Sequence, residues 1–415
     1  MEIEIPFGAC AEKISVDEKN VMKIVYPNKV EKRDEEKVLE TALKKPVRSP
    51  SLKDFLRDNR KFIIVVNDIQ RSTPTAKILE YLEPHLKNKD FIFLVATGDH
   101  RAPSEDELEK IIGGQLYRKY KSRVAYHESK KSELHYFGKS RLGTEIYINK
   151  LAVEYGAMIA INSVEPHYFA GYTGGRKSLV PGIAGYETIT QNHSLSLARE
   201  AQLTKLKGNP VHEDFEDIAR IVSEKVDIFA INVVTDDAES IYACATGDII
   251  ESLYELIEPA EEVYCVKIPA KSDIVVTVAK PPLDINLYQS QKAIESAKIA
   301  VKEKGIIILV SSCKEGIGPS SFYDLLREFE SPDDVFAKIK KEYRLGYHKT
   351  AKLIETAMIS SVYVVSQMSP EVFNKTFMKP FTDVQSALQE ALKKTGLSSK
   401  ILFLMDGGAT APIVE

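Results

Sequence analysis

Lys61-Phe-Ile-Ile-Val-Val66, followed at once by Asn67-Asp68-Ile69-Gln70-Arg71, is the stretch on which the fold turns. Its apolar part is too short for a helix and shows no polar alternation, so it reads as a strand covered on both faces, as in a parallel sheet. The polar tail is rich in functional groups. The same pairing recurs at 91–96, followed by Thr97-Gly98-Asp99-His100-Arg101, and at 157–161, followed by Asn162-Ser163-Val164-Glu165-Pro166-His167. Further strand-like runs lie at 227–233, 273–278, 305–310, 362–365 and 401–405, and amphipathic stretches at 75–85, 104–112, 284–302 and 331–341. Strands alternating with helices predict parallel sheets with helices on both faces. Ligands of such sheets gather where strands end in loops, so packing alone does not explain three successive strands with polar, ionisable tails.

A chain of 415 residues exceeds one compact core and fits two domains. The expected architecture is α/β: two domains, each with a mostly parallel sheet flanked by helices, and an active site in the cleft between them. The boundary falls within 257–272, where Glu-Pro-Ala-Glu-Glu gives way to a new strand. This gives an N-terminal catalytic and cofactor-binding domain, 1–265, and a C-terminal α/β domain, 266–415. Residues 1–50 read as a short meander with strands near 2–5 and 21–26 and then a charged helix.

A formal net charge of −4 provides no basic field for nucleic acid or an anionic membrane. Cys10, Cys244, Cys265 and Cys313 form no CxxC pair, which fits reduced thiols better than a zinc cage or disulfides. The N-terminus lacks the apolar core of a signal peptide, and every apolar run is shorter than a membrane span. A cytoplasmic protein is expected.

Gly171-Tyr-Thr-Gly-Gly-Arg-Lys-Ser178 approaches the phosphate-binding pattern GxxxxGK[ST] but misses it, because Arg176 stands where the last glycine belongs. The physical content survives: Gly174 and Gly175 permit close backbone approach, and a helix starting near Ser178 would favour a phosphate. A tight turn with two solvated cations is the plainer reading. Lys177, however, precedes the apolar Leu179-Val180-Pro181-Gly182, a setting that suits a nucleophile or a covalent anchor. Of the eight histidines, His85, His127, His135 and His348 read as surface residues, and His212 as a capping or packing residue at a helix start. His100, His167 and His193 lie on loops beside Gly, Pro or Asn; together they point to proton transfer or metal ligation. No HExxH motif or cysteine cluster completes a metal site, so a bound metal must bring other ligands. Arg71 suits bidentate carboxylate recognition with Asp68 to orient it, whereas Arg101 reads equally as a surface ion pair. Tyr288 and Lys292, four apart, share a helix face.

The string from Glu165-Pro-His-Tyr-Phe-Ala-Gly to Arg176-Lys-Ser-Leu-Val-Pro-Gly182 closely resembles the signature of the nickel-dependent lactate racemase family, with its related 2-hydroxy-acid racemases and epimerases. Segments 68–74, 98–101, 192–193, 208–211 and 288–292 follow in the family's order, so the resemblance spans most of the chain. It implies a nickel-pincer nucleotide, a pyridinium-3-thioamide-5-thiocarboxylic acid mononucleotide, joined to Lys177, with His193 as nickel ligand and loading by separate cofactor-biosynthesis proteins. It implies His100 and His167 as acid/base pair, Arg71 and Lys292 on the substrate carboxylate with Asp68, Tyr288 and Gln289 nearby, and Gly174, Gly175 and Ser178 as phosphate contacts. The family's first motif reads Asp-x-Thr-Arg-Pro-x-Pro; here Gln70 and Ser72 replace the threonine and first proline, and Asp99 adds an acid to the second motif. Lactate, a larger or more polar 2-hydroxy acid, or an aldonate epimerised at C2 all remain open as substrates. The residues alone also leave open a Schiff-base lysine enzyme acting on a carbonyl, and a non-catalytic nucleotide-binding module.

Overall fold

The computed structural model describes residues 1–328 and 331–415. The chain forms two compact units: residues 29–263, and residues 1–28 together with 264–415.

The sheet of the 29–263 unit contains β1 (Lys61–Asn67), β2 (Asp90–Ala96), β3 (Val124–Tyr126), β4 (Ala157–Ser163), β5 (Asp227–Thr235) and β6 (Ile241–Gly247). Their spatial order is β6-β5-β4-β1-β2-β3, parallel except for β6 at one edge. Both faces are covered. Phe62, Ile64 and Val66 pack with Phe91, Phe93, Val95, Ile159 and Ile161 beneath helices Leu52–Asp58, Thr75–Leu82 and Glu105–Ile112, while Ile63 and Val65 are equally buried on the other side. Each such side chain contributes about 1.5–3 kcal/mol on burial. Chain order runs one way from β1 to β3 and the other way from β4 to β6, so the switch point lies between β1 and β4. The tails of β4, β1 and β2 therefore emerge side by side, the placement at which open α/β sheets bind ligands.

The second unit holds a six-stranded, wholly parallel sheet in the order Met378–Phe381, Ser361–Val365, Val301–Val310, Ser272–Val278, Ile401–Leu404, Val21–Val25. The α/β reading with parallel, helix-flanked sheets is thus what the chain forms. Residues 1–28, expected in the first domain, instead supply an edge strand here, Leu402 pairing with Lys23 and Leu404 with Val25. A local pattern marks a strand without naming its partner, and this partner is more than 370 residues away. The expected helix over 284–302 is shorter: Asn286 caps Leu287–Ala300 by accepting the Gln289 N–H, and Val301 already begins a strand.

Candidate active site

Three tails meet at the carboxyl ends of β1, β2 and β4. Asn67 donates to Thr73 Oγ1 at 2.7 Å, and Thr73 Oγ1 lies 3.0 Å from Ser163 Oγ, which ties the first tail to the third. Gly98 N–H donates to Gly182 O at 3.0 Å. Gly98 has φ +56°, and a Cβ there would stand 3.2 Å from Pro181 O, so glycine lets the second tail approach the segment after Lys177.

Asp68 is 7% exposed, and its Oδ2 lies 2.6 Å from His100 Nδ1. Its Oδ1 accepts the Gln70 N–H at 3.2 Å. Burial pushes this carboxyl up, but the charge and hydrogen bond of His100, the Arg71 cation and the Gln70 N–H outweigh it, leaving the group below the usual carboxylate range. An ionised Asp68 can only accept, so His100 donates to it from Nδ1 in either charge state, and the neutral ring presents Nε2 as a base. His167 is arranged the opposite way. Its Nδ1 accepts the Ala170 N–H at 3.3 Å, so the neutral ring carries its proton on Nε2.

Phe169 is the hub. Its ring centroid lies 4.6 Å from that of His167, 5.2 Å from that of His193 and 5.8 Å from Lys177 Nζ. Lys177 and His193 thus stand on one aromatic ring, separated by no more than about 11 Å, the sum of the last two separations. Lys177 is buried, with Phe215 also 5.8 Å from Nζ. His193 is half-buried in the last turn of helix Tyr186–Ser194. Asn192 anchors that helix by donating to the buried Asp214 at 2.8 Å. Among the described residues no three His, Cys, Asp or Glu side chains converge as a metal site, and no helix is long and apolar enough to cross a membrane.

Residues 7–205 match the family model of the lactate racemase N-terminal domain, and residues 267–411 that of the lactate racemase C-terminal domain. The chain belongs to the lactate racemase family. By family it is an isomerase. It is 29% identical to proteins named lactate racemase from Thermoanaerobacterium thermosaccharolyticum and Lactiplantibacillus plantarum, covering 98% of this chain in both cases and 97% and 98% of theirs. The solved lactate racemase apoprotein of T. thermosaccharolyticum matches all of both chains with a TM-score of 0.91 at 29% identity. A Thermotoga maritima protein, 19% identical with a TM-score of 0.71 over 92% of this chain and 98% of its own, shares the fold.

Several residues differ from their expected settings. Ser178 does not open a helix: Gly175–Ser178 is a single 3-10 turn, and Asn162 donates to Ser178 Oγ. Gly175 donates its N–H to Asn232 Oδ1 at 2.8 Å, and a Cβ there would lie 2.4 Å from Ile249 O. Gly174 adopts φ +99° against Val164. These residues hold a close-packed turn, so the expected helix start with N–H groups open to a phosphate is not formed by them. Nor is Arg176 a solvated cation. Fully buried, it donates to the carbonyls of Thr173 (2.9 Å), Tyr172 (3.0 Å) and Ala170 (3.3 Å), and to His212 Nδ1 (3.2 Å). Burial lowers this guanidinium to about 10, against the opposing pull of Glu216. His212 Nε2 faces Tyr254 Oη (3.0 Å) and Glu216 (3.1 Å), so Arg176 is the buried end of a polar chain that runs out to the exposed Tyr254 and pins the turn presenting Lys177.

His127, expected at the surface, is fully buried, bonded to Ala184 O (2.8 Å) and Asn149 (3.0 Å); His348 is buried too, against Tyr343 Oη at 2.9 Å. Arg101 is the surface ion pair, bidentate to Glu107, whose carboxyl that pairing draws down to about 2 against burial. Asp99 is exposed, 3.5 Å from Ser129 Oγ. Arg71 is half-buried. Tyr288, Gln289 and Lys292 share the first turns of helix Leu287–Ala300 in the other unit.

Proposed function

We propose that this chain racemises lactate or a closely related 2-hydroxy acid, using a nickel-pincer nucleotide anchored on Lys177 with His193 as the protein's nickel ligand. The observation that carries the reading is the convergence of Lys177, His193 and His167 on the one ring of Phe169. The donor set fits the group: a buried amine that would carry the covalent attachment and an imidazole that would ligate a borderline ion such as nickel, both beside the aromatic ring of Phe169. When bound, such a cofactor supplies reversible hydride acceptance from C2.

The remaining work falls to the chain. Asp68 holds His100 with Nε2 free of its proton, ready to take the hydroxyl proton of one enantiomer. His167 gives its Nε2 proton to the hydroxyl oxygen of the other from the imidazolium form, becoming neutral as it does so, while the proton gained by His100 passes to solvent and resets the pair. Two imidazoles of opposite protonation suit a substrate whose hydroxyl points to opposite sides in its mirror forms. Arg71 holds the carboxylate, and the turn Gly174–Ser178 with Arg176 fixes Lys177.

The test is to load the purified protein with nickel-pincer nucleotide, verify a Lys177 adduct by intact mass, and follow enantiopure 2-hydroxy acids by chiral chromatography. Loss of optical purity that disappears in Lys177→Ala is the expected result. An adduct-bearing protein that leaves every acid optically pure refutes the assignment.

A further inference from the structure

We infer that Asp214 is a positioning residue of this site: through Asn192 it fixes the direction in which His193 is presented to the nickel ion. The inference rests on the proposed function, in which His193 is the nickel ligand.

Asp214 is fully buried in helix Pro210–Ser223. Its carboxylate accepts three side-chain hydrogens: from Ser140 Oγ, from Thr144 Oγ1 at 2.8 Å and from Asn192 Nδ2 at 2.8 Å. All three donors are buried. Ser140 and Thr144 lie at the two ends of the loop joining strands Leu134–Lys139 and Glu145–Asn149, whereas Asn192 belongs to helix Tyr186–Ser194. One carboxylate therefore joins a hairpin to the last turn of the helix that carries His193.

The location of that bond gives it its consequence. Thr188 and Gln191 tie the body of the helix to the hairpin, Thr188 Oγ1 donating to Glu145 O at 2.6 Å and Gln191 Oε1 accepting the Glu145 N–H at 2.6 Å. The last turn is where a helix frays, and His193 stands in it. Neighbouring helix residues leave the axis about 100° apart, so a bond that holds Asn192 also holds His193 against turning. Asn192 is a poor choice for packing alone, because its Oδ1 is buried with no donor among the described residues. An orphaned acceptor disfavours the fold, and an apolar side chain would avoid it.

The helix that carries Asp214 also touches the other members of the site. Asn209, its buried cap, donates to Phe169 O at 2.9 Å, His212 Nδ1 accepts from Arg176 at 3.2 Å, and Phe215 lies 5.8 Å from Lys177 Nζ. Residues 209–215 thus form one frame for the anchor turn, the aromatic ring and the ligand-bearing helix, with Asp214 as its contact on the His193 side.

Wild type, Asn192→Ala, Asn192→Leu, Asp214→Asn, Asp214→Leu and His193→Ala are loaded and compared. Intact mass reports the Lys177 adduct, dialysis against EDTA the retention of nickel, visible absorption the nickel–cofactor chromophore, and thermal melts the fold. Asn192→Ala and Asp214→Leu are expected to carry the adduct yet lose nickel about tenfold or more faster than wild type, the usual effect of removing a group that orients a ligating histidine. Their absorption shifts toward that of His193→Ala. Asp214→Asn, whose amide oxygen still accepts from Asn192 and Thr144, stays within about threefold of wild type. Asn192→Leu carries the same expectation as Asn192→Ala where alanine or Asp214→Leu prevents folding. A merely structural role lowers the melting temperature and leaves the absorption of the folded protein unchanged. Folded, adduct-bearing Asn192 variants with wild-type nickel retention and absorption overturn the inference alone. A wild type that forms no adduct, or a His193→Ala variant that holds nickel like a loaded wild type, overturns the functional reading and the inference with it.

Discussion

Asp68→Asn is isosteric yet is expected to invert the protonation of His100. Gln70 N–H donates to Oδ1 of residue 68. In the variant that contact keeps the amide oxygen in place and turns the NH2 toward His100 Nδ1, which the carboxylate now contacts at 2.6 Å. Nδ1 must then accept, the proton moves to Nε2, and the atom proposed as base is occupied. A positioned general base contributes about 10²–10⁴ in rate, so kcat is expected to fall by about that factor. Because enantiomers are equal in free energy, kcat/KM must drop equally in both directions, an internal check on the measurement. The assay follows D- and L-lactate separately by chiral chromatography, with adduct mass and unfolding midpoint showing that the variant is loaded and folded. A loaded variant retaining activity within about threefold of wild type refutes the tautomer argument.

Three further outcomes are expected. Arg176→Met leaves three buried carbonyls without their guanidinium donor and should cost about 3 kcal/mol or more in urea unfolding; a loss below about 1 kcal/mol would show that the turn holds itself. Gly175→Ala forces a Cβ against Ile249 O and should destabilise by about 1–3 kcal/mol, with slower Lys177 adduct formation seen by mass. Glu295, bonded to Gln291 and surrounded by Lys298, Lys349, Lys352 and Glu355, is pushed up to about 7 by burial, against the pull of Lys298 and Lys352. Between its ordinary value of 4.5 and about 7 the folded state holds a proton that the unfolded state has released, so stability falls as pH rises through that window. Glu295→Gln should flatten this fall in melts taken from pH 5 to 8; an unchanged slope assigns the pH dependence elsewhere.

The strands of both parallel sheets were legible because burial on two faces demands unbroken runs such as Phe62 to Val66, and the three polar tails were legible because packing does not ask for them. The function of Arg176 was not. Its role depends on carbonyls that point inward only once the turn is made, and backbone oxygens leave no trace in a sequence. His127 was misplaced for a related reason: its charged neighbours suggest solvent, while Ala184 and Asn149, both distant in the chain, satisfy its two nitrogens. The opposite tautomers of His100 and His167 likewise follow from partners that spacing does not reveal. Tyr288 and Lys292 gave a weak signal alone; Asp214, which holds Asn192, gave none.

The pairing of Val21–Val25 with Ile401–Leu404 makes residues 29–263 an insertion within another unit's fold. During synthesis the inserted unit has all its strands long before its host does, while the segment 1–28 emerges first and finds its sheet last. Premature termination between residues 263 and 401 therefore leaves the amino-terminal strand unpaired although the inserted unit is complete. Removing the first 28 residues from the mature chain bares the Ile401–Leu404 edge, a ready template for joining a second molecule.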